Sequence, residues 1–215
     1  PVNKHHPMLE RVYALSTPDE CESTYDEWAV RYEHDTTEEM GYAAPERAAA
    51  RLAELIRPAE DGTQPSVLDA GCGTGLVGAA LARNGLTAID GIDISAAMLD
   101  QARAKGVYRS LAKADLTRKL SFPDSGYDAV ICVGTLTEGH VGPEAMDELV
   151  RVARPGAPVV LTILDRIWEP QGYRARVAEL EHRGAAVLEE AVPGTVYHAK
   201  ENITCTLVVL RAGTR

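Results

Sequence analysis

Aromatic residues are scarce in this chain, and long hydrophobic runs are missing. Phe, Trp and Tyr make up 5% of the 215 residues, and there is a single Phe. No apolar run reaches the roughly 20 residues that a membrane-spanning helix needs, so no membrane segment is expected. No apolar segment follows Lys4, so a secretory signal is not predicted either and a cytoplasmic protein is expected.

The chain also has fewer basic than acidic residues and no closely spaced pair of cysteines. The chain has 22 basic against 32 acidic residues, a formal net charge of −10. Nucleic-acid binding relies on basic patches, so a nucleic-acid partner is disfavoured and a small-molecule substrate is expected, although Arg103, Lys105 and Arg109 could form a local basic patch. The cysteines form no CxxC pair, and Cys132 and Cys205 lie in apolar runs, which predicts buried thiols and no metal site.

The N-terminal segment, residues 1–45, differs from the rest of the chain because it contains no strand-like run. The motif at 17–20, Thr-Pro-Asp-Glu, predicts a helix start with a capping box. The helix is expected to carry three aromatic rings on one face, at Tyr25, Trp28 and Tyr32. Such a face either packs against the core or covers a ligand. A second helix is predicted at about residues 45–56.

From residue 67 onward, short apolar runs alternate with helical patterns. The apolar runs cover residues 67–70, 88–94, 107–112, 127–133 and 159–164. The helical patterns between them cover residues 76–83, 96–105 and 143–153. Continuous apolar strands that alternate with helices predict parallel strands covered on both faces, and right-handed crossovers then give a doubly wound sheet.

The end of the chain breaks this alternation. A helical pattern at 173–183 is followed by strand-like runs at 186–192 and 204–211 with no helix between them, so these two strands should pair antiparallel. The predicted fold is α/β: a single Rossmann-like, doubly wound, seven-stranded sheet, mostly parallel with an antiparallel last strand. The predicted division is an N-terminal helical segment at 1–45 and the α/β domain at 46–215.

A glycine-rich turn follows the first apolar run. Asp69 precedes a GxGxG motif formed by Gly71, Gly73 and Gly75, and a helical pattern starts directly after it. Glycines let the chain turn sharply and let a ligand approach the main chain, while the helix directs unpaired N–H groups toward that ligand. The spacing differs from the GxGxxG of dinucleotide sites and from the P-loop, so the ligand need not carry phosphate.

Two acids lie where the second and third strands are predicted to end. Asp93 is placed to accept hydrogen bonds from the ribose hydroxyls of a nucleoside, although it could instead belong to the helix cap that Ser95 provides. Asp90 is a competitor, but it lies inside the strand and away from the carboxyl edge. Asp115 is placed to accept a hydrogen bond from an adenine amine, with Leu116 against the ring.

These motifs resemble the class I S-adenosylmethionine-dependent methyltransferases. The resemblance runs from Tyr25 to the C-terminus and rests on four segments, at residues 68–75, 91–99, 128–131 and 153–156. Within this class, the segments at 25–29, 41–45 and 133–141 are similar to the Williams–Beuren-region methyltransferase-like proteins.

The resemblance implies S-adenosylmethionine as the cofactor and a helical lid formed by residues 1–45. The three glycines would hold the methionine end of the cofactor, Asp93 the ribose and Asp115 the adenine. The full set of implied cofactor-binding residues is Tyr25, Trp28, Tyr32, Asp69, Gly71, Gly73, Gly75, Asp93, Ile94, Met98, Asp115, Leu116, Val133 and Thr135.

The expected reaction is in-line methyl transfer to a small-molecule acceptor through oxygen or nitrogen, which requires a base. His140, just after the fourth strand, is the first candidate base, although it could be a loop histidine bonded to backbone, and Glu138 is the second. His198 lies near the final hairpin and is expected at the surface. Alternatives are a cyclase or lyase that consumes the cofactor without an acceptor, an inactive nucleoside-binding protein and, last, an NAD-linked oxidoreductase. The acceptor and the oligomeric state are not readable from the sequence.

Overall fold

The chain folds around a seven-stranded β-sheet in this computed structural model, which describes residues 5–139 and 141–214. The strands are β1 (Ser66–Ala70), β2 (Ala88–Asp93), β3 (Ser110–Lys113), β4 (Ala129–Cys132), β5 (Pro158–Leu164), β6 (Ala186–His198) and β7 (Ile203–Ala212). Their order across the sheet is β3-β2-β1-β4-β5-β7-β6. Strands β2 and β3 are added on one side of β1, and β4 and the later strands on the other side, so the order of the strands reverses between β1 and β4, as in doubly wound folds.

The strand directions match the predicted topology. The pairs β3–β2, β2–β1, β1–β4 and β4–β5 are parallel, whereas β7 is antiparallel to both β5 and β6. Only a short 3₁₀ turn at Ala199–Glu201 separates β6 from β7, too few residues for a crossover, so the two strands form a hairpin. The predicted mostly parallel, seven-stranded sheet with an antiparallel last strand is confirmed.

Strand β6 is longer than the predicted run at 186–192. It continues through Pro193 and Gly194 to His198, and its register against β7 shifts between Val192 and Thr195 and again between Val196 and His198. These irregularities accommodate the proline and the glycine, which a regular ladder excludes, so a sequence pattern that stops at a turn signal ends the strand too early.

Eight α-helices flank or cap the sheet in the described part of the chain. They are α1 (Pro7–Tyr13), α2 (Pro18–Trp28), α3 (Ala44–Leu55), α4 (Leu76–Arg83), α5 (Ala96–Ala104), α6 (Ala145–Arg151), α7 (Asp165–Trp168) and α8 (Tyr173–His182). Helix α3 packs on α4 and on β4, β5 and β6, whereas α5 packs on β2 and β3. None of the described helices is long and apolar enough to cross a membrane.

The central strands form the core. Every residue of β4 and β5 is buried, as expected for parallel strands covered on both faces. Cys132 and Cys205 are fully buried in these layers, and all four cysteines are free thiols. The prediction of buried structural thiols is confirmed for both.

The N-terminal segment is helical, but its predicted aromatic helix is shorter than expected. Helix α2 ends at Trp28, and Tyr32 lies beyond a turn, just before a π-helix at His34–Glu39. The Trp28 indole N–H donates to Asp35 Oδ2 at 2.8 Å, which ties the end of α2 to that π-helix. A single helix through Tyr32 is therefore wrong.

The start of α2 follows the predicted capping pattern in part. The Thr17 side chain accepts a hydrogen bond from the Glu20 N–H, and Pro18 occupies the first turn. The Glu20 carboxylate, however, accepts its main hydrogen bonds from the N–H and the hydroxyl of Ser16, and the N–H of Thr17 contributes less. The reciprocal half of the capping box is shifted by one residue.

Candidate functional site

A pocket opens at the carboxyl ends of β1, β2 and β4, where the order of the strands reverses. Its empty volume is about 730 Å³, including the part that opens to solvent. Ligands of doubly wound sheets bind in such a crevice. The pocket collects residues from the glycine turn, the two strand ends and the N-terminal helices.

The glycine turn shapes one wall of this pocket. Gly71 has φ +69°, and a Cβ there would lie 1.9 Å from Thr135 Oγ1, so neither the conformation nor the space admits a side chain. Gly73 has φ +54°, and a Cβ there would meet no atom within 4 Å, which leaves its main chain open to a ligand. Gly75, with φ +95°, is the N-cap of α4 and packs against Lys105 and Tyr108 rather than lining the pocket.

Asp93 connects this turn to the next helix. Its Oδ2 accepts a hydrogen bond from the Gly73 N–H at 2.9 Å, and its Oδ1 accepts one from the Ser95 N–H at 3.0 Å. Burial raises the pKa of the Asp93 carboxyl, and the backbone N–H groups of Ser95 and Gly73 oppose that rise. A carboxylate offers about four lone-pair sites, so these two bonds leave acceptor capacity for ligand hydroxyls.

Asp93 is not the N-cap of α5, the role that was the alternative to ribose binding, because Ser95 provides that cap. The Ser95 hydroxyl accepts from the Met98 N–H at the start of α5, as predicted. Asp90 lies away from the pocket, because its carboxylate pairs with Arg109 at 2.9 Å and accepts from the Tyr127 hydroxyl. Asp93 is thus the acid of β2 that lines the pocket.

Ten of the fourteen predicted cofactor-binding residues line this pocket. They are Tyr25, Tyr32, Gly71, Gly73, Asp93, Ile94, Met98, Leu116, Val133 and Thr135. The lining also includes residues for which the sequence gives no motif, above all Val12 and Leu15 from the N-terminal segment, Cys21 on α2, and Thr137 after β4. Only the tertiary packing of α1 and α2 over the sheet edge brings the first three to the site.

The other four predicted cofactor-binding residues lie near the pocket without lining it. Trp28 is 5% exposed and faces a second, smaller cavity. Asp69 is buried behind the glycine turn, where its Oδ2 accepts from the Tyr108 hydroxyl at 2.6 Å. The Asp115 carboxylate accepts from the N–H and the hydroxyl of Thr117, while its neighbours Ala114 and Leu116 line the pocket. Gly75, described above, is the fourth.

Of the two candidate bases, the structure describes only Glu138. His140 lies outside the described residues. Glu138 pairs with Arg166 at 2.8 Å, and Arg166 lies 4.5 Å over the Tyr13 ring, so the Glu138 carboxylate already has a cationic partner. Glu138 does not line the pocket, although Thr137 and Gly139 on either side of it do.

His198 is buried, and the expectation of a surface histidine is wrong. It is 3% exposed, and its ring packs 4.7 Å from the Tyr42 ring and 4.6 Å from the Tyr197 ring, centroid to centroid. The reason is an isolated bridge between Tyr42 and His198, which lays the N-terminal segment over the end of the hairpin. Burial, with a smaller contribution from His5, lowers the pKa of His198 to about 4.

The candidate basic patch is neutralised within the described part of the chain. Lys105 pairs with Glu33, Arg103 pairs with Asp100 at 2.9 Å, and Arg109 pairs with Asp90 as noted above. Each of these three cations therefore has an acidic neighbour.

One cluster has the composition of a metal site. Ligand atoms of His6, Asp35 and Glu39 lie within 4.8 Å of one another. However, His6 Nδ1 accepts a hydrogen bond from the Met8 N–H, so its proton is on Nε2, which lies 2.7 Å from Glu39 Oε2. In this tautomer Nε2 donates to the Glu39 carboxylate, so the described contacts of His6 are a helix cap through Nδ1 and a hydrogen bond through Nε2.

A family profile described as a methyltransferase domain matches residues 67–156, the span that holds the glycine turn and Asp93. Residues 67–156 thus match a methyltransferase domain, and the chain is similar to the class I S-adenosylmethionine-dependent methyltransferases. The cofactor of this family is S-adenosylmethionine. The open main chain at Gly73 and the spare acceptor capacity of Asp93 fit the backbone contacts and ribose hydroxyls of such a nucleoside.

Two curated methyltransferases and one solved structure illustrate the relationship. Human Methyltransferase-like protein 27 is 38% identical over 139 residues, which are 64% of this chain and 55% of the human protein. The 18S rRNA (guanine-N(7))-methyltransferase of Arabidopsis thaliana is 33% identical over 110 residues, 48% of this chain and 38% of the plant protein. The chain thus spans about half or less of the length of these relatives.

The solved structure is similar in fold. Magnesium protoporphyrin IX methyltransferase from Synechocystis PCC 6803, with bound S-adenosylmethionine, aligns with a TM-score of 0.57 at 21% identity. The alignment covers 95% of this chain and 90% of the other one. The similarity therefore extends over the N-terminal helices as well as the sheet.

Proposed function

We propose that this chain transfers the methyl group of S-adenosylmethionine to a small-molecule acceptor, through oxygen or nitrogen, at the carboxyl edge of the sheet. The observation that carries the proposal is the Asp93 carboxylate, which lines the pocket, accepts a hydrogen bond from the Gly73 N–H of the glycine turn and keeps acceptor capacity for a ribose. Methyl transfer from a sulfonium is an in-line displacement, so the chain mainly has to align the acceptor with the methyl group.

The lining residues supply distinct parts of a nucleoside site in this proposal. The main chain of Gly71 and Gly73 holds the methionine end, and Asp93 holds the ribose. Apolar side chains, Met98 and Leu116, lie against the adenine. Tyr25 contributes to the helical lid, whose extent over residues 1–45 stays a prediction, as does the role of Asp115 toward the adenine amine.

A small acceptor is favoured over a nucleic acid by the charge of the chain. Its formal net charge is −10, and the cations Arg103, Lys105 and Arg109 each pair with an acid. One relative is named as an rRNA methyltransferase, so an RNA acceptor is the alternative that the acceptor assay must include. His140 stays the proposed base, and the subgroup assignment stays a prediction.

Calorimetry with S-adenosylmethionine, S-adenosylhomocysteine and NAD in parallel tests the proposal. We expect micromolar binding of the first two ligands and none of NAD. Mass analysis of the incubated cofactor then distinguishes methyl transfer from a cyclase or lyase, because the latter consumes the cofactor with no acceptor present. Binding of NAD alone, or of no ligand, would remove the basis of the proposal.

A further inference from the structure

One side chain joins the N-terminal segment to the glycine turn. Lys105, the C-cap of α5, donates a hydrogen bond from Nζ to the carbonyl oxygen of Thr74 at 2.8 Å and also pairs with the Glu33 carboxylate. Thr74 lies within the glycine turn, and Glu33 directly follows Tyr32, which lines the pocket. The Lys105 ammonium therefore contacts both the turn and the segment that covers it, although Lys105 itself does not line the pocket.

The glycine turn has room for this lysine and an acceptor for its ammonium. The Lys105 stem packs on Gly75, where a Cβ would lie 3.1 Å from Lys105 Cδ. The Gly78 N–H, four residues after Thr74, donates to the Tyr108 hydroxyl at 3.2 Å rather than to the Thr74 carbonyl. Because Thr74 is only 1% exposed, its carbonyl has little access to water, and the Lys105 ammonium satisfies it.

The ion pair between Lys105 and Glu33 is partly withdrawn from water. The Lys105 side chain is 22% exposed, and the Glu33 carboxylate compensates its charge. Breaking such a pair leaves a partly buried charge without its counter-ion, which is unfavourable. The hydrogen bond to the Thr74 carbonyl is charge-assisted and hence stronger than one between neutral groups. The position of Glu33 therefore determines how firmly Lys105 holds the turn.

A second lysine pairs with the N-terminal segment in a different way. Lys113, at the end of β3, pairs with Glu22 on α2, and its side chain is 51% exposed. Of these two lysines, only Lys105 has a contact with the glycine turn in the described part of the chain. Lys113 is therefore a matched comparison for an ion pair that holds the segment without reaching the cofactor site.

We propose that Lys105 is a positioning residue of the cofactor site, which links closure of the N-terminal segment to the geometry of the glycine turn. In the closed segment, Glu33 holds the Lys105 ammonium against the Thr74 carbonyl and fixes the turn in the form that receives the ligand. Binding at the turn and closure of the segment then favour each other, because coupling between two equilibria is reciprocal. The inference rests on the proposed function, since the coupled ligand is the cofactor.

Calorimetric titration with S-adenosylhomocysteine, which needs no acceptor, tests this link. We expect Lys105→Met and Glu33→Gln each to bind about 3- to 10-fold more weakly than the wild type. The double variant should bind no more weakly than Lys105→Met alone, because both substitutions break the same link. Lys113→Met is the control and should bind as the wild type does. Glu33 is a half-exposed residue, so Glu33→Gln keeps the test decisive if Lys105→Met fails to fold.

The contrary outcomes are distinct. Wild-type affinity in Lys105→Met or in Glu33→Gln, or losses that add in the double variant, would show that the turn and the segment act independently. An equal loss in Lys113→Met would show that any loosening of the segment weakens binding. Each of these results overturns the inference. Absence of S-adenosylhomocysteine binding in the wild type would instead contradict the proposed function, so the two failures are distinguishable.

Hydrogen exchange of the π-helix at His34–Glu39 gives a readout that a purely structural role of Lys105 would not move. S-adenosylhomocysteine should slow exchange there in the wild type. In Lys105→Met this slowing should be smaller by about the same 3- to 10-fold factor as the loss of affinity, because the coupling is reciprocal. If the ligand slows exchange by the wild-type factor in Lys105→Met, the lysine is only a structural ion-pair partner and the inference is wrong.

Discussion

Asp69 lies at the end of β1, buried between the glycine turn and Tyr108. The Tyr108 hydroxyl donates to its Oδ2, and its Oδ1 has no partner among the described residues. Burial raises the pKa of this carboxyl to about 7, against the Tyr108 hydrogen bond, which lowers it. The folded protein therefore retains a proton on Asp69 at pH values where the unfolded chain has released it.

This retained proton predicts that Asp69 lowers stability as pH rises. The unfolded group titrates near 3.8 and the folded group near 7, so between these values the folded state binds more protons and the free energy of unfolding falls with pH. The slope from one group is at most about 1.4 kcal/mol per pH unit. In Asp69→Asn this contribution should be missing.

Urea denaturation of the wild type and Asp69→Asn between about pH 5 and about pH 7 checks this slope. The readout is the pH dependence rather than the absolute stability, since an amide at this position also changes the hydrogen bonds. Asp100→Asn, at an exposed position of α5, should keep the wild-type slope. Identical slopes in the wild type and Asp69→Asn would show that Asp69 is already ionised in the folded protein.

Single residues of the site were predictable where a motif fixes the backbone. Gly71 and Asp93 follow from their places at strand ends, and both line the pocket. The packing of Val12 and the burial of His198 were not predictable, because both depend on how the N-terminal segment lies over the sheet. Asp115 illustrates the same limit. Its carboxylate accepts a hydrogen bond from the nearby Thr117 hydroxyl, a local contact that competes with the predicted bond to an adenine amine.

Helix α2 is fastened to α5 at the level of whole elements. Asp26 Oδ1 accepts hydrogen bonds from the Ser95 hydroxyl at 2.5 Å and from the Ala97 N–H at 3.3 Å. The acceptor lies at the N-terminus of α5, where a negative charge is favourable. Ser95, which caps α5, thereby also binds the helix that covers the pocket.

Removal of this contact should loosen α2 without unfolding the sheet. We expect Asp26→Ala to lower the opening free energy of α2 by about 1–3 kcal/mol, because two hydrogen bonds are lost, while amides of β1 and β4 keep their protection. Hydrogen exchange followed by mass spectrometry measures both. Asp19→Ala, on the exposed first turn of the same helix, is the control. Faster exchange in the sheet, or an exchange rate in α2 equal to that of the wild type, would rule out Asp26 as the contact that holds α2 on α5.

The elements that carry a clear period were predicted closely, and those shaped by tertiary contacts were not. Helix α3 is shifted by only one residue from the predicted 45–56, and Pro45 lies in its first turn as expected. Helix α2 stops before Tyr32 because Trp28 bonds Asp35, and β6 runs past Pro193 because β7 provides a partner for the longer strand. Helical spacing and turn signals carry no information on such partners.

At the scale of the whole molecule, the pocket lies where the strand order of the sheet predicts it. Alternating strands and helices predict a crevice where the strand order reverses, and the glycine turn and Asp93 meet there. The length of the chain relative to its curated relatives does not affect this geometry, since the glycine turn, β2 and β4 all lie within the matched domain.

Calorimetry of S-adenosylhomocysteine with the wild type, Asp93→Ala and Asp100→Ala tests the cofactor site most directly. Loss of the Asp93 hydrogen bonds to the ribose should weaken binding by about 1–3 kcal/mol, or about 5- to 150-fold, with the fold retained by circular dichroism. Asp100→Ala should bind as the wild type does. Wild-type affinity in a folded Asp93→Ala protein would contradict the placement of the cofactor at this edge of the sheet.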